Sequence, residues 1–295
     1  MNKITKNILI FCLVFLLGIF FSSPAFAIKI GLVENAKEVT TAVSQSGSIY
    51  DADTGKELLK LTPMSAYKLR SGRNSILIKL QGKDYSLDSN NIVIKSSSSS
   101  GFVLAKNRWY RQYLRVKNKK GGMTVINEIH LELYLLGVVP SEMPSSWNIE
   151  AHKAQAIAAR SYAIANMGKR ASHGYDLKDT PEDQAYGGAS SETTKTNSAV
   201  ISTKGQVLVN NNKVISAYYH SSAGGRTVVS GKVWCKNLPY LHSVPSFDDD
   251  VPKFGHGVGM SQHGANYLAN HGYNAYQILA YFYTNVKLAN ISNSY

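Results

Sequence analysis

The stretch from Ile149 to Asn166 constrains the fold more than any other part of the chain. Seven of its residues are alanine, the strongest helix former, and Asn148 stands where it can cap the first turn. Side chains this small let neighbouring elements approach closely, so the spacing predicts a buried helix. Arg160 breaks the pattern. Its neighbours at three and four residues are Ala156, Ile157, Ala163 and Ile164, so the guanidinium points at or near the core. A buried arginine has to be paired. The residues leave three partners open: Glu142, an acidic group on a substrate, or a structural carboxylate.

Directly before that helix runs Val138-Val-Pro-Ser-Glu-Met-Pro144. Glu142 lies between Pro140 and Pro144, each of which restricts the residue before it. A stiff backbone aims a side chain reproducibly, and this one is expected where a strand meets the helix. A helix N-terminus nearby would favour the carboxylate. Burial among Val138, Val139, Met143 and Trp147 would favour the neutral acid. A general acid needs burial to win; the alternative is a carboxylate with a purely structural role.

Around this segment the pattern is mixed. Ile28–Leu32, Val39–Val43, Ser75–Lys79 and Asn91–Lys95 read as strands, punctuated by turns at Gly47, Asp53-Thr-Gly55 and Ser71-Gly72. Five serines, Ser96 to Ser100, form a linker or loop. Tyr113–Lys117 and Met123–Asn127 flank Lys119-Lys-Gly-Gly122 as a hairpin. Further helices are expected at Glu192–Ile201, capped by Ser190 or Ser191, and near Ser261–Asn270 and Ala275–Tyr283. A second hairpin is expected at Gln206–Val209 and Lys213–Ala217. Without a regular βαβ alternation the class is α+β: mixed, mostly antiparallel strands, a buried Ala-rich helix, and an elongated groove between the strand-rich and helix-containing parts.

The N-terminus reads as a leader. Lys3 and Lys6 precede the apolar run Ile8 to Phe21, and Ala25-Phe-Ala27 fits a signal-peptidase site. This divides the chain into a signal peptide (1–27), a strand-rich region with the serine linker (28–100) and a larger domain (101–295) that carries the site-like motifs. The expected location is secreted and facing the cell wall, with membrane contact only if the leader stays uncleaved. Cys235 is the one cysteine beyond the leader, so no internal disulfide is expected. The formal net charge of +13 attracts polyanions; for an exported chain these are acidic wall polymers or membrane surfaces rather than nucleic acid.

Three other segments carry polar residue types in site-like patterns. Ala217-Tyr-Tyr-His-Ser-Ser-Ala-Gly-Gly225 ends a strand in a glycine-rich turn. His220 and Ser221 are adjacent on extended backbone and point to opposite faces, which disfavours a Ser/His nucleophile and favours polysaccharide or backbone hydrogen bonding. Phe254-Gly-His-Gly-Val-Gly-Met-Ser-Gln-His-Gly264 lacks a phosphate-loop lysine and the spacing of a dinucleotide loop, and His256 and His263 lack a zinc spacing. Asp248-Asp-Asp250 offers a second carboxylate for a two-carboxylate glycosidase, or a solvated acidic loop.

Taken together and in order, these motifs resemble the stage II sporulation protein D family, which includes the amidase-enhancer (LytB-like) proteins. The likeness runs from Ile126 through Glu142-Met-Pro144 and Lys153–Tyr162. It continues in Asp183-Gln-Ala-Tyr-Gly187, Tyr219–Gly225, Leu238–Val244 and Gly255–Gln262. It implies a lytic transglycosylase that cleaves peptide-free peptidoglycan glycan strands, with Glu142 as catalytic acid/base. It also implies substrate-binding roles for Arg160, Gln184, Tyr186, Tyr219, His220, Ser221, Ser222, His256 and Gln262. A cell-wall amidase is the further partner implied. The alternative is a non-catalytic glycan-binding module that enhances an amidase; a hydrolase pairing Glu142 with an Asp is a third. Some relatives bind zinc beside the Gln-x-Tyr motif. Here His173 stands without a cysteine, so no metal and no cofactor are expected.

Overall fold

Among the residues described, twelve strands precede the first helix: β1 (Ala27–Ala36), β2 (Glu38–Val43), β3 (Gly47–Asp51), β4 (Glu57–Leu61), β5 (Tyr67–Ser71), β6 (Ile76–Leu80), β7 (Lys83–Ser86), β8 (Asn91–Ser96), β9 (Phe102–Ala105), β10 (Arg108–Arg111), β11 (Tyr113–Lys119) and β12 (Gly122–His130). The structure is a computed structural model that describes residues 27–119, 122–234 and 236–291. The leader up to residue 26, the hairpin tip at Lys120 and Gly121, and Cys235 lie outside the described residues.

After the strands come α1 (Leu131–Glu142), α2 (Ile149–Ala165), β13 (Leu177–Lys178), α3 (Thr194–Ser202), β14 (Gln206–Asn210), β15 (Lys213–Val214), β16 (Tyr219–His220), β17 (Met260–Ser261), α4 (Gln262–Asn270), α5 (Ala275–Phe282) and β18 (Lys287–Asn290). A seven-stranded sheet has the order β13-β1-β12-β11-β8-β3-β4, and a six-stranded sheet the order β10-β9-β2-β5-β6-β7. All pairings in these two sheets are antiparallel except β1 with β13. The fold is α+β, as the mixed pattern predicts.

Strands on both sides of the serine run share both sheets: β8 pairs with β11, and β2 with β9. Ser96 ends β8, and the rest of the run turns tightly, with the Gly101 amide donating to the Ser98 carbonyl. One apolar core draws on both sheets, from Ile28 and Ile30 to Leu69, Ile78, Val103 and Val116.

Helix α2 is the central element. Twelve of its 17 residues are buried, and the Asn148 side chain accepts from the Glu150 amide at its start. Ala156, Ala159 and Ala163 face the sheet core, while Ala151, Ala154 and Ala158 face a second core with Leu268, Ile278 and Phe282. The small side chains allow this two-sided packing. The groove described below opens along the seam between the two cores, where Tyr218 and Tyr219 touch both.

Several local expectations change. Leu131–Glu142 is a helix, so Glu142 ends α1 rather than a strand. Gly137 permits this helix to pack: a Cβ there would lie 2.6 Å from the Tyr186 ring and 2.8 Å from the Gly188 carbonyl oxygen. Thr193 caps α3, because the Ser190 hydroxyl accepts from Trp109 N and the Glu192 carboxylate holds Arg111. Gly47 and Ser71 lie in strands. Among the described residues no helix is long and apolar enough to cross a membrane.

Candidate active site

Glu142 lines a groove of about 620 Å³ formed by the ends of α1 and α4, by α2, by β16 and by the loops between these elements. This volume lies within the range of small-molecule sites. The carboxyl is enclosed on most sides yet open to the groove. Oε1 accepts from the Ala185 amide at 2.7 Å and the Tyr219 hydroxyl at 3.3 Å. Among the described residues Oε2 accepts only from Gln262 Nε2, at 3.4 Å. Burial pushes the pKa up, and these three donors pull it partly back, to about 7. The C-terminal end of α1 offers no positive dipole to oppose burial. The environment that a general acid requires is therefore the one present, although its walls are Ala185, Tyr219 and Gln262.

The donors to Glu142 are themselves directed. Gln184 is fully buried behind the groove. Its Nε2 donates to the Ala159 carbonyl oxygen at 3.1 Å and to the Tyr219 hydroxyl at 2.9 Å, while Tyr134 donates to its Oε1 at 3.2 Å. A carbonyl only accepts, so the amide orientation is fixed. With Gln184 donating to it, the Tyr219 hydroxyl turns its own proton to Glu142. Gln184 thus orients the Tyr219 hydroxyl from behind the groove and does not line it. Two donors occupy Oε1, so Oε2 is the oxygen left to carry an acidic proton.

His220, Ser221 and His256 line the same groove, as do Tyr219 and Gln262. His220 Nδ1 lies 3.1 Å from the Val258 carbonyl oxygen, and His256 Nδ1 accepts from the Val258 amide at 3.0 Å. Burial pushes both rings down to about 4; His256 adds to the effect at His220, and Lys253 at His256. Both imidazoles are neutral at pH 7. Sequence reasoning passed over Tyr162, Lys169, Asp183, Tyr218, Trp234 and Phe254 as site residues, and all six line the groove. Aromatic faces of this kind suit the apolar faces of sugars. Asp183 is committed: burial opposes its charge, but Arg170, Lys169 and the Lys178 amide outweigh burial and hold its pKa low.

Three expected contacts lie elsewhere. Arg160 is fully buried and grips Glu132 through two bonds of 2.7 Å; it touches neither Glu142 nor the groove, and the structural carboxylate is the partner. Tyr186 packs beneath Gly137 with its hydroxyl donating to Asn127 at 2.8 Å. The Ser222 hydroxyl is buried and donates to the Pro252 carbonyl oxygen at 2.6 Å. Asp248 is neither solvated nor in the groove, being saturated by Ser246, Ser261 and the Ala223 and Gly225 amides. His173 meets Glu34, and Lys178 meets Glu182. Among the described residues no group of three His, Cys, Asp or Glu side chains is arranged to hold a metal ion.

The class defined here is an α+β protein with one poised carboxyl in an aromatic groove. Residues 119–210 match the SpoIID family profile described as "Stage II sporulation protein". The chain is 38% identical over 128 residues to the "Amidase enhancer" of Bacillus subtilis, which covers 43% of this chain and 17% of that protein. It is 34% identical over 145 residues to the "Stage II sporulation protein D" of the same organism, covering 44% of this chain and 42% of the relative. A protein of that name from Bacillus amyloliquefaciens is 27% identical over 259 residues, covering 56% of this chain and 75% of its own length. The chain thus spans less than half of the two Bacillus subtilis relatives.

Proposed function

We propose that the protein is an extracytoplasmic lytic transglycosylase that cuts peptide-free peptidoglycan glycan between N-acetylmuramic acid and N-acetylglucosamine. The observation that supports it most is the Glu142 carboxyl at the groove, its pKa raised by burial to about 7, with Oε2 held by one long contact of 3.4 Å from Gln262. Glu142 protonates the glycosidic oxygen as the bond to C1 breaks. The resulting carboxylate then takes the proton of the muramic C6 hydroxyl as that oxygen attacks C1. The product is a 1,6-anhydro sugar, and no water is consumed. Because the nucleophile belongs to the substrate, one enzyme carboxyl suffices, unlike the two-carboxylate scheme. The Tyr219 donation supports the anion in the second half of the cycle.

The likeness to stage II sporulation proteins supports a role in cell-wall remodelling during sporulation. The name of the relative "Amidase enhancer" favours a second reading, a glycan-binding module that stimulates a wall amidase. Digestion of peptide-free glycan in ¹⁸O-labelled water separates the readings. Anhydro ends without label support the transglycosylase; labelled reducing ends indicate a hydrolase. Binding without cleavage, with stimulation of an amidase, supports the second reading.

A further inference from the structure

A second cavity of about 570 Å³ adjoins the groove and shares Ser141, Pro181 and Ala185 with it. Ser141 precedes Glu142 in the chain, and the Ala185 amide bonds to its carboxyl. The two cavities therefore meet at the residues that flank and bond Glu142, and a polymer laid across them occupies both. Their chemistry differs. The groove presents Tyr162, Tyr218, Trp234 and Phe254. The second cavity presents Lys106, Arg108, Thr180, Ser190 and Ser191.

The charges there are unequal. Lys106 is neutralised by the buried Asp179 at 2.5 Å. Arg108 donates to the Tyr186 carbonyl oxygen at 3.4 Å and shares the field of Asp179 without a salt bridge among the described residues, so two cations face one carboxylate and one positive charge is in surplus. The local fold holds Arg108 in place. Lys106 and Asn107 have φ of 50° and 58°, a two-residue turn that joins β9 to β10. Next in β10, the Trp109 amide donates to Ser190 in the cavity wall at 2.8 Å, and the Tyr110 ring is fully buried.

We infer that this second cavity seats the acid-bearing sugar of the glycan and that Arg108 takes its free carboxylate. A guanidinium presents a planar fork that matches a carboxylate. In a strand that still carries peptides, that carboxyl is an amide and offers Arg108 neither charge nor a second oxygen. The site thereby selects stripped glycan by a positive contact. This rests on the glycan reading above.

The test is calorimetric binding with the Glu142→Gln protein, which removes cleavage from the readout. Its ligands are peptide-free glycan and the same glycan with its carboxyls reduced to alcohols. One charge-assisted pair predicts about 10-fold tighter binding of the carboxylate form. Adding Arg108→Gln should bring the two ligands within about 2-fold of each other, while Arg108→Lys keeps part of the difference. Equal affinity of the Glu142→Gln protein for both ligands overturns the subsite and leaves the glycan reading intact. So does discrimination that survives Arg108→Gln. Failure to bind either glycan overturns both.

Discussion

Replacing Glu142 by Gln removes a charge and keeps nearly the same shape, so its effect on stability reports the carboxyl's environment. Below about pH 4.5 the carboxyl is protonated in both folded and unfolded chains, and the two proteins should melt together. Between 4.5, its ordinary value, and about 7, the unfolded chain releases the proton while the folded one retains it. Wild-type stability therefore falls with pH relative to the variant, and the deficit levels off above about 7. At about 1.4 kcal/mol per tenfold change in proton affinity, the deficit reaches about 3 kcal/mol. For a domain of this size that corresponds to about 6 °C in melting temperature. Melting curves of both proteins from pH 4 to 9 measure it. The variant should be the more stable only on the alkaline side. A gap that does not change with pH would refute the claim that burial holds this carboxyl protonated.

The donor chain behind Glu142 has its own signature. Tyr219→Phe removes one donor to Oε1, so the alkaline limb of the pH–activity profile should move upward. Gln184→Leu should move it the same way although Gln184 never meets the groove; a residue with only a packing role would lower activity without moving the limb. Arg160→Ala leaves Glu132 unpaired beside the core and should cost about 3–5 kcal/mol in chemical denaturation. Arg160→Met combined with Glu132→Leu should recover most of that stability and also the activity, whereas a substrate-binding arginine would leave the stable double variant inactive. Gly137→Ala drives a methyl against the Tyr186 ring and should cost about 1–3 kcal/mol, read as a lowered denaturation midpoint.

Elements fixed by local chemistry were legible in the sequence. Helix α2 and its Asn148 cap, the β14–β15 turn with Asn211 and Asn212 at positive φ, and helices α4 and α5 all carry their own start and stop signals. Helix α1 was not legible, because Gly137 and Pro140 both read against a helix and the reason for Gly137 is a tyrosine from a distant loop. Strand β7, Lys83–Ser86, is exposed throughout and pairs through backbone alone, so it leaves no apolar alternation to find. In the site, Glu142 stood out through its prolines, and Tyr219, His220, Ser221, His256 and Gln262 through their motifs. Arg160 showed its burial but not its partner, since Glu132 lies 28 positions away on a helix the sequence did not reveal. Trp234 and Arg108 carry no local signal at all, because only the tertiary fold brings them to the cavities.

Side-by-side digestion of peptide-free glycan with wild type and Glu142→Gln, with products weighed by mass spectrometry, is the most direct test of the central claim. The account predicts 1,6-anhydro ends from the wild type and none from the variant, which should still bind the glycan. Anhydro ends from the variant at the wild-type rate would contradict it.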